Sequence, residues 1–235
     1  MSVALDTGGA DAVRPFVRPA EPIDVPPPMR AIMGWTEDEY RGAKAPTYPC
    51  LIDERHVVAA AYDMPNVPMA VWIDEDGRIV RPAEPAGATD GFRSLDRATM
   101  TLPEDLARAG RASRARYRDA IRDWVAHGAQ SRYALSPQAV RARIAGPSEE
   151  DAFASACFAL ANLLRERGAH DLAAHWFSEA KHRCPERWNY VRQALDLQQK
   201  GAASGPEFVR ALRELGERPY YARIDLEEHG TGTEM

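Results

Sequence analysis

Cys50, Cys157 and Cys184 are the residues of this chain that could carry thiol chemistry, and nothing in their surroundings activates them. A nucleophilic cysteine acts as its thiolate, which needs a helix N-terminus or a neighbouring cation to stabilise it. Cys50 follows Pro49 inside a short apolar run with neither nearby, so it reads as a small packed hydrophobe. Cys157 and Cys184 fall on helical segments where packing is again the default. No Cys-x-x-Cys occurs, and three widely spaced cysteines make neither a disulfide framework nor a zinc set; they fit a reducing, cytoplasmic setting. His56, His170, His175 and His182 have no acidic or cysteine partners at ligand spacing. His175 and His182 share one helix, but two ligands do not make a site. No catalytic residue, cofactor or metal site is therefore expected within these residues.

Two further patterns have ordinary explanations. Asp6-Thr7-Gly8 after an apolar strand suggests an aspartic-protease loop, but that chemistry needs a second carboxylate sharing a proton, and no second Asp-Thr/Ser-Gly exists. A strand-to-helix turn is the expectation. Arg111, Arg114, Arg118 and Arg122 form one helical stripe that could meet phosphates. Asp119 and Asp123 beside it point instead to a solvated, paired face. A net charge of -5 and a pI near 5.7 argue against nucleic acid as partner. No apolar run approaches the roughly 18 residues that span a bilayer, and no signal peptide is visible.

The elements that would position any site are clearest between Tyr62 and Val80. Val67-Pro68 leads into an apolar strand (Met69 to Asp74), then Asp76-Gly77, then a second strand (Arg78 to Arg81). Asp-Gly between apolar runs predicts a tight hairpin, because glycine supplies φ > 0 without steric cost. Proline cannot donate to a ladder, so Pro68 belongs at the start of its strand, with a cis bond expected. Upstream, Ser2 to Asp6 predicts a strand, Ala10 to Pro19 a helix, Tyr48 to Asp53 a strand and Glu54 to Tyr62 a helix. Pro22 to Pro28 predicts an extended loop, and so does Pro82 to Gly91. From about Leu102 onward every periodic segment is helical.

Ala154 to Arg187 reads as a tetratricopeptide-like unit. Leu160 lies in its first helix, Gly168 in its turn, Ala173, Phe177 and Ala180 in its second helix, and Pro185 closes it. It departs from the usual aromatics at Cys157 and Leu164. One such unit cannot bury its own face, so the helices around Tyr117 to Val125 and Trp188 to Leu197 are expected to cover it. Trp124, Trp176, Phe177 and Trp188 are expected to anchor a compact helical half.

Ala4-Leu5-Asp6-Thr7-Gly8-Gly9, Asn66-Val67-Pro68 and the stretch from Val71 to Glu84 together resemble the redoxin branch of the thioredoxin superfamily. The nearest likeness is the ResA/TlpA-like group whose motif reads Trp-Ala-x-x-Sec-Gly-Cys, and Glu186 to Gln193 resembles that group's helical end. The resemblance implies an α/β fold: an incomplete thioredoxin-like domain over 1–98, without its first strand and redox helix. It is followed by a helical connector (99–150), the tetratricopeptide-like all-α unit (151–200) and a C-terminal helix and tail (201–235). In that family the redox pair precedes the strand equivalent to Ser2 to Asp6, so it is expected upstream of Met1. An in-frame UGA for selenocysteine read as a stop would account for this, as would a degenerate paralogue or an ordinary wrong start.

In the family's sheet order the missing strand is central, between Ser2–Asp6 and Met69–Asp74, which would leave a parallel and an antiparallel pair. Unpaired buried backbone groups cost about 1–3 kcal/mol each, against a total stability of about 5–15 kcal/mol. The implied function is a thiol/selenol–disulfide oxidoreductase or peroxide-reducing redoxin, acting on disulfides or peroxides, with the chain as given inactive. Val67 and Pro68 would shape its substrate groove through backbone groups. The alternative is a redox-inactive interaction or scaffold protein with a protein partner on its helical half.

Overall fold

The structure, a computed structural model, describes residues 1–17, 37–41, 46–144, 146–198 and 205–226. The extended loop expected at 22–28 lies outside the described residues. The elements in chain order are β1 (Ser2–Ala4), α1 (Gly9–Val17), α2 (Glu37–Arg41), β2 (Cys50–Ile52), α3 (Val57–Ala61), β3 (Met69–Ile73) and β4 (Ile79–Pro85). The helices α4 (Glu104–His127), α5 (Pro137–Arg143), α6 (Glu149–Glu166), α7 (His170–Arg183), α8 (Trp188–Gln198) and α9 (Pro206–Glu214) follow. Contacts group them into two compact units. The first is assembled from Met1–Pro19, Pro46–Val67 and Gly146–Tyr220; the second includes Pro68–Ala145 and the chain from Tyr221 onward. The stretches 1–98 and 151–200 expected as separate blocks therefore both contribute to the first unit.

In the first unit β1 and β2 pair in parallel, Ser2 opposite Cys50 and Ala4 opposite Ile52. Both strands are shorter than expected, although the Asp53 N–H still donates to the Ala4 carbonyl at 2.8 Å. The expected helix from Glu54 contracts to α3, because the Asp53 carboxylate accepts the N–H groups of Val57 and Ala59 at 2.7 and 2.9 Å and so fixes where the helix begins. Ser148 and Asp151 cap α6 reciprocally, each side chain accepting the other's backbone N–H.

The α6–α7 pair follows the small-and-large pattern seen in sequence. Ala154, Ala161, Ala173 and Ala180 let the helices approach, and Phe158 and Phe177 fill the space, 5.5 Å apart between centroids. Helix α8 covers this core with Tyr190, stacked on Phe158 at 4.4 Å, as expected. The other expected cover, the helix containing Tyr117 to Val125, is instead part of α4 in the second unit. In its place, the segment after α3 docks: Asn189 N–H donates to the Pro65 carbonyl and its Nδ2 to that of Met64. Arg187, nearly buried, bridges Asp63 and Asp151.

The second unit is built on the hairpin. The turn is closed by Asp74, whose carboxylate accepts the N–H groups of Asp76 and Arg78, with Gly77 at φ 79°. β3 and β4 are antiparallel, and β4 runs to Pro85, through residues expected as loop. Between the pairs Ala70–Glu84 and Trp72–Arg81, two residues of β4, Pro82 and Ala83, face Val71 alone. This is a bulge, the place where a strand tolerates a proline.

Arg81 is fully buried: it pairs with both Glu84 oxygens at 2.8 and 2.9 Å, donates to the Tyr133 and Asp225 carbonyls, and lies over the Trp72 ring. Tyr117 of α4 donates to Glu84 and accepts from Trp72 Nε1, both at 2.9 Å. Trp124 stacks on Trp72 at 5.1 Å, so it anchors this unit and does not join Phe177 and Trp188. A Cβ on Gly87 would lie 2.8 Å from the Arg114 Cα, so the approach of α4 to the chain after β4 requires glycine there.

Candidate functional site

The sequence nominates Val67 and Pro68, and both are exposed. Val67 closes the second segment of the first unit and Pro68 opens the second. The buried Asn66 sets the local backbone: its Nδ2 donates to the Tyr220 carbonyl at 3.2 Å, and its Oδ1 accepts the Val67 N–H at 2.9 Å. The N–H that a strand-like ligand would use at Val67 is thus already committed to Asn66. The Pro68 carbonyl accepts the Ala86 N–H at 3.2 Å, which extends the hairpin ladder past β3.

Neither of the two buried thiols is tuned for chemistry. Cys50 is half-buried, accepts from Ser2 Oγ at 3.1 Å and donates to the Tyr48 carbonyl at 3.6 Å. Burial pushes the Cys157 thiol up, with Glu179 adding to the shift. Burial, then Glu186 and Asp151, pushes Cys184 up to about 11. Both are protonated at neutral pH, the opposite of an activated nucleophile. All three are free.

Ligand atoms of Asp151, Cys184 and Glu186 lie within 4.8 Å of one another. The Asp151 carboxylate is already taken by Ser148 and Arg187, which hold it below the usual range. A metal here would have to displace both of these partners and the proton of the Cys184 thiol.

The remaining sequence candidates resolve structurally. Asp6 accepts the Gly8 N–H at 2.7 Å and Thr7 donates to Gln193 at 2.9 Å, forming a strand-to-helix turn. On the arginine stripe, Arg111 pairs with Glu104 at 2.6 Å and Arg122 with Asp119 at 2.9 Å. A cleft of about 340 Å³ is lined by Arg116, Arg223, Ile224, Asp225 and Leu226, and its one carboxylate, Asp225, is already paired with Arg143. The two buried arginines, Arg81 and Arg187, were not anticipated. Their signal was weak: a charged residue inside an apolar strand pattern for Arg81, and a lone arginine between Pro185 and Trp188 for Arg187.

Compared with family models, with curated proteins and with solved structures, the chain matches none. Among the described residues no helix is long and apolar enough to cross a membrane.

Proposed function

We propose that this chain is part of a redoxin-type thiol/selenol–disulfide oxidoreductase or peroxide-reducing protein whose redox residues lie outside these 235 positions. The observation that carries the reading is the strand pairing. β1 and β2 form a parallel pair, and β3 and β4 an antiparallel hairpin introduced by Val67-Pro68. These are the pairings left when a thioredoxin-like sheet lacks its central strand. The raised thiols of Cys157 and Cys184 support placing the chemistry elsewhere. A cytoplasmic location, disulfide or peroxide substrates, and a groove shaped by Val67 and Pro68 belong to this reading. In it the Val67 N–H exchanges Asn66 for substrate.

The test is the nucleotide sequence upstream of the Met1 codon, with the activity of the protein translated from it. An in-frame extension encoding Trp-Ala-x-x, then UGA or a cysteine codon, then Gly-Cys is expected. That longer protein should reduce insulin disulfides or peroxide, and the 235-residue chain should not. An upstream frame without the motif overturns the proposal, as does thiol-dependent turnover by the 235-residue chain that survives Cys50→Ser.

The second reading, a redox-inactive interaction or scaffold protein, is favoured by the raised thiols of the buried Cys157 and Cys184. It expects a folded 235-residue product in cells. Peptides mapping upstream of Met1 in the endogenous protein are incompatible with it.

A further inference from the structure

Helix α6 buries one face in the α6–α7 core and turns a second, wholly apolar face outward. Phe153, Leu160 and Leu163 are 45%, 37% and 41% exposed, and Ala152, Ala156 and Ala159 between them are exposed as well. These positions follow the three-and-four spacing of a single helical stripe, about 15 Å long. An isolated exposed leucine needs no explanation, but six apolar side chains on one stripe with no polar interruption do. The Arg183 guanidinium lies over one side of the Phe153 ring and leaves the stripe open.

The ends of the same stripe carry opposite charges. Glu149 lies on it at the N-terminal end and Arg167 at the C-terminal end, both exposed and without an ion-pair partner among the described residues. Both charges and four of the six apolar positions are self-complementary about the level of Phe158. Reversing the helix exchanges Glu149 with Arg167, Phe153 with Leu163, and Ala156 with Leu160. Large therefore meets large near the ends and small meets large at the centre, which is how antiparallel helices interdigitate closely. Such an arrangement also sets the two helix dipoles head to tail.

We propose that α6 is a homodimer interface: two copies of this chain pack their α6 helices antiparallel across a two-fold axis that passes between Ala156 and Leu160, level with the buried Phe158. Glu149 of each copy then pairs with Arg167 of its partner. A two-fold interface requires one patch to complement itself, and this patch does. The inference is independent of the redox reading, since it uses α6 alone.

Sedimentation velocity of the 235-residue chain over a wide concentration range tests it. A reversible monomer–dimer equilibrium of micromolar order is expected. Leu160→Glu should raise the dimer Kd by at least about tenfold. Glu149→Arg and Arg167→Glu should each raise it roughly threefold to tenfold by setting like charges opposite one another. The double variant, Glu149→Arg with Arg167→Glu, should return to within about twofold of the parent. Both charge changes oppose the α6 dipole, so the double variant cannot recover by stabilising the helix. The three positions are exposed, and a cooperative melt in dilute solution checks that each variant folds.

A chain monomeric at every concentration overturns the proposal and assigns the stripe to some other partner. A double variant no better than the singles overturns the antiparallel pairing.

Discussion

His56 is sealed against the Phe158 ring, 5.1 Å away, with neither ring nitrogen hydrogen-bonded among the described residues. Burial lowers its pKa from 6.5 to about 4, against the opposing pull of Asp53 and Asp6. The unfolded chain therefore binds a proton below about pH 6.5 that the folded chain refuses until about pH 4. Stability linked to His56 is complete above 6.5, falls between 6.5 and 4, and levels off below that, a loss of at most about 3 kcal/mol. Urea unfolding across this range should show the loss in the parent and not in His56→Asn, a substitution chosen because asparagine tolerates the φ of 59° at this position. Parallel curves for the two proteins would mean that His56 is not buried neutral. Arg81 is the second residue whose charge is tied to folding. Removing it leaves Glu84 buried with only Tyr117, so Arg81→Met should cost about 3–5 kcal/mol in the same assay. A cost below 1 kcal/mol would show that the network in the second unit is dispensable. Neither role was legible in sequence, since burial of a charged or titratable group depends on what packs over it.

Local chemistry made some elements readable and left others ambiguous. The hairpin could be read because Asp74, Asp76 and Gly77 specify their turn by themselves. The α6–α7 pair could be read because alanines and Phe177 repeat at helical spacing. The ends of β4 and α3 could not: one depends on a bulge that absorbs Pro82, the other on which backbone groups Asp53 selects. The parallel β1–β2 pair and the antiparallel β3–β4 pair are short, and which strands pair was less legible than the turn that joins β3 to β4. Two substitutions test the elements. Phe177→Ala should destabilise the first unit by about 3–5 kcal/mol, because Phe158 and the facing alanines cannot close over the cavity. Gly87→Ala should destabilise the second unit by more than about 1 kcal/mol, since it adds both a steric clash with Arg114 and a strained φ of 75°. A fluorescence-monitored melt unchanged from the parent in either case would contradict the packing described.

At the scale of the whole molecule, the thiols report on opening. Under native conditions a maleimide should modify Cys50 first, and Cys157 and Cys184 only at the rate of unfolding of the first unit. Fast modification of Cys157 or Cys184 would show that the α6–α7 core opens locally. The first unit has a further property, because it is sewn together from three stretches separated in the chain. A ribosome releases Pro46–Val67 long before Gly146–Tyr220 exists, and at bacterial or eukaryotic elongation rates the interval is roughly ten to thirty seconds. During that interval β1, β2 and α3 are displayed without α6, α7 and α8, their apolar surfaces facing solvent. The nascent chain is thus a natural client for holding chaperones, and a message truncated before the last third of its reading frame would yield a product fit for degradation.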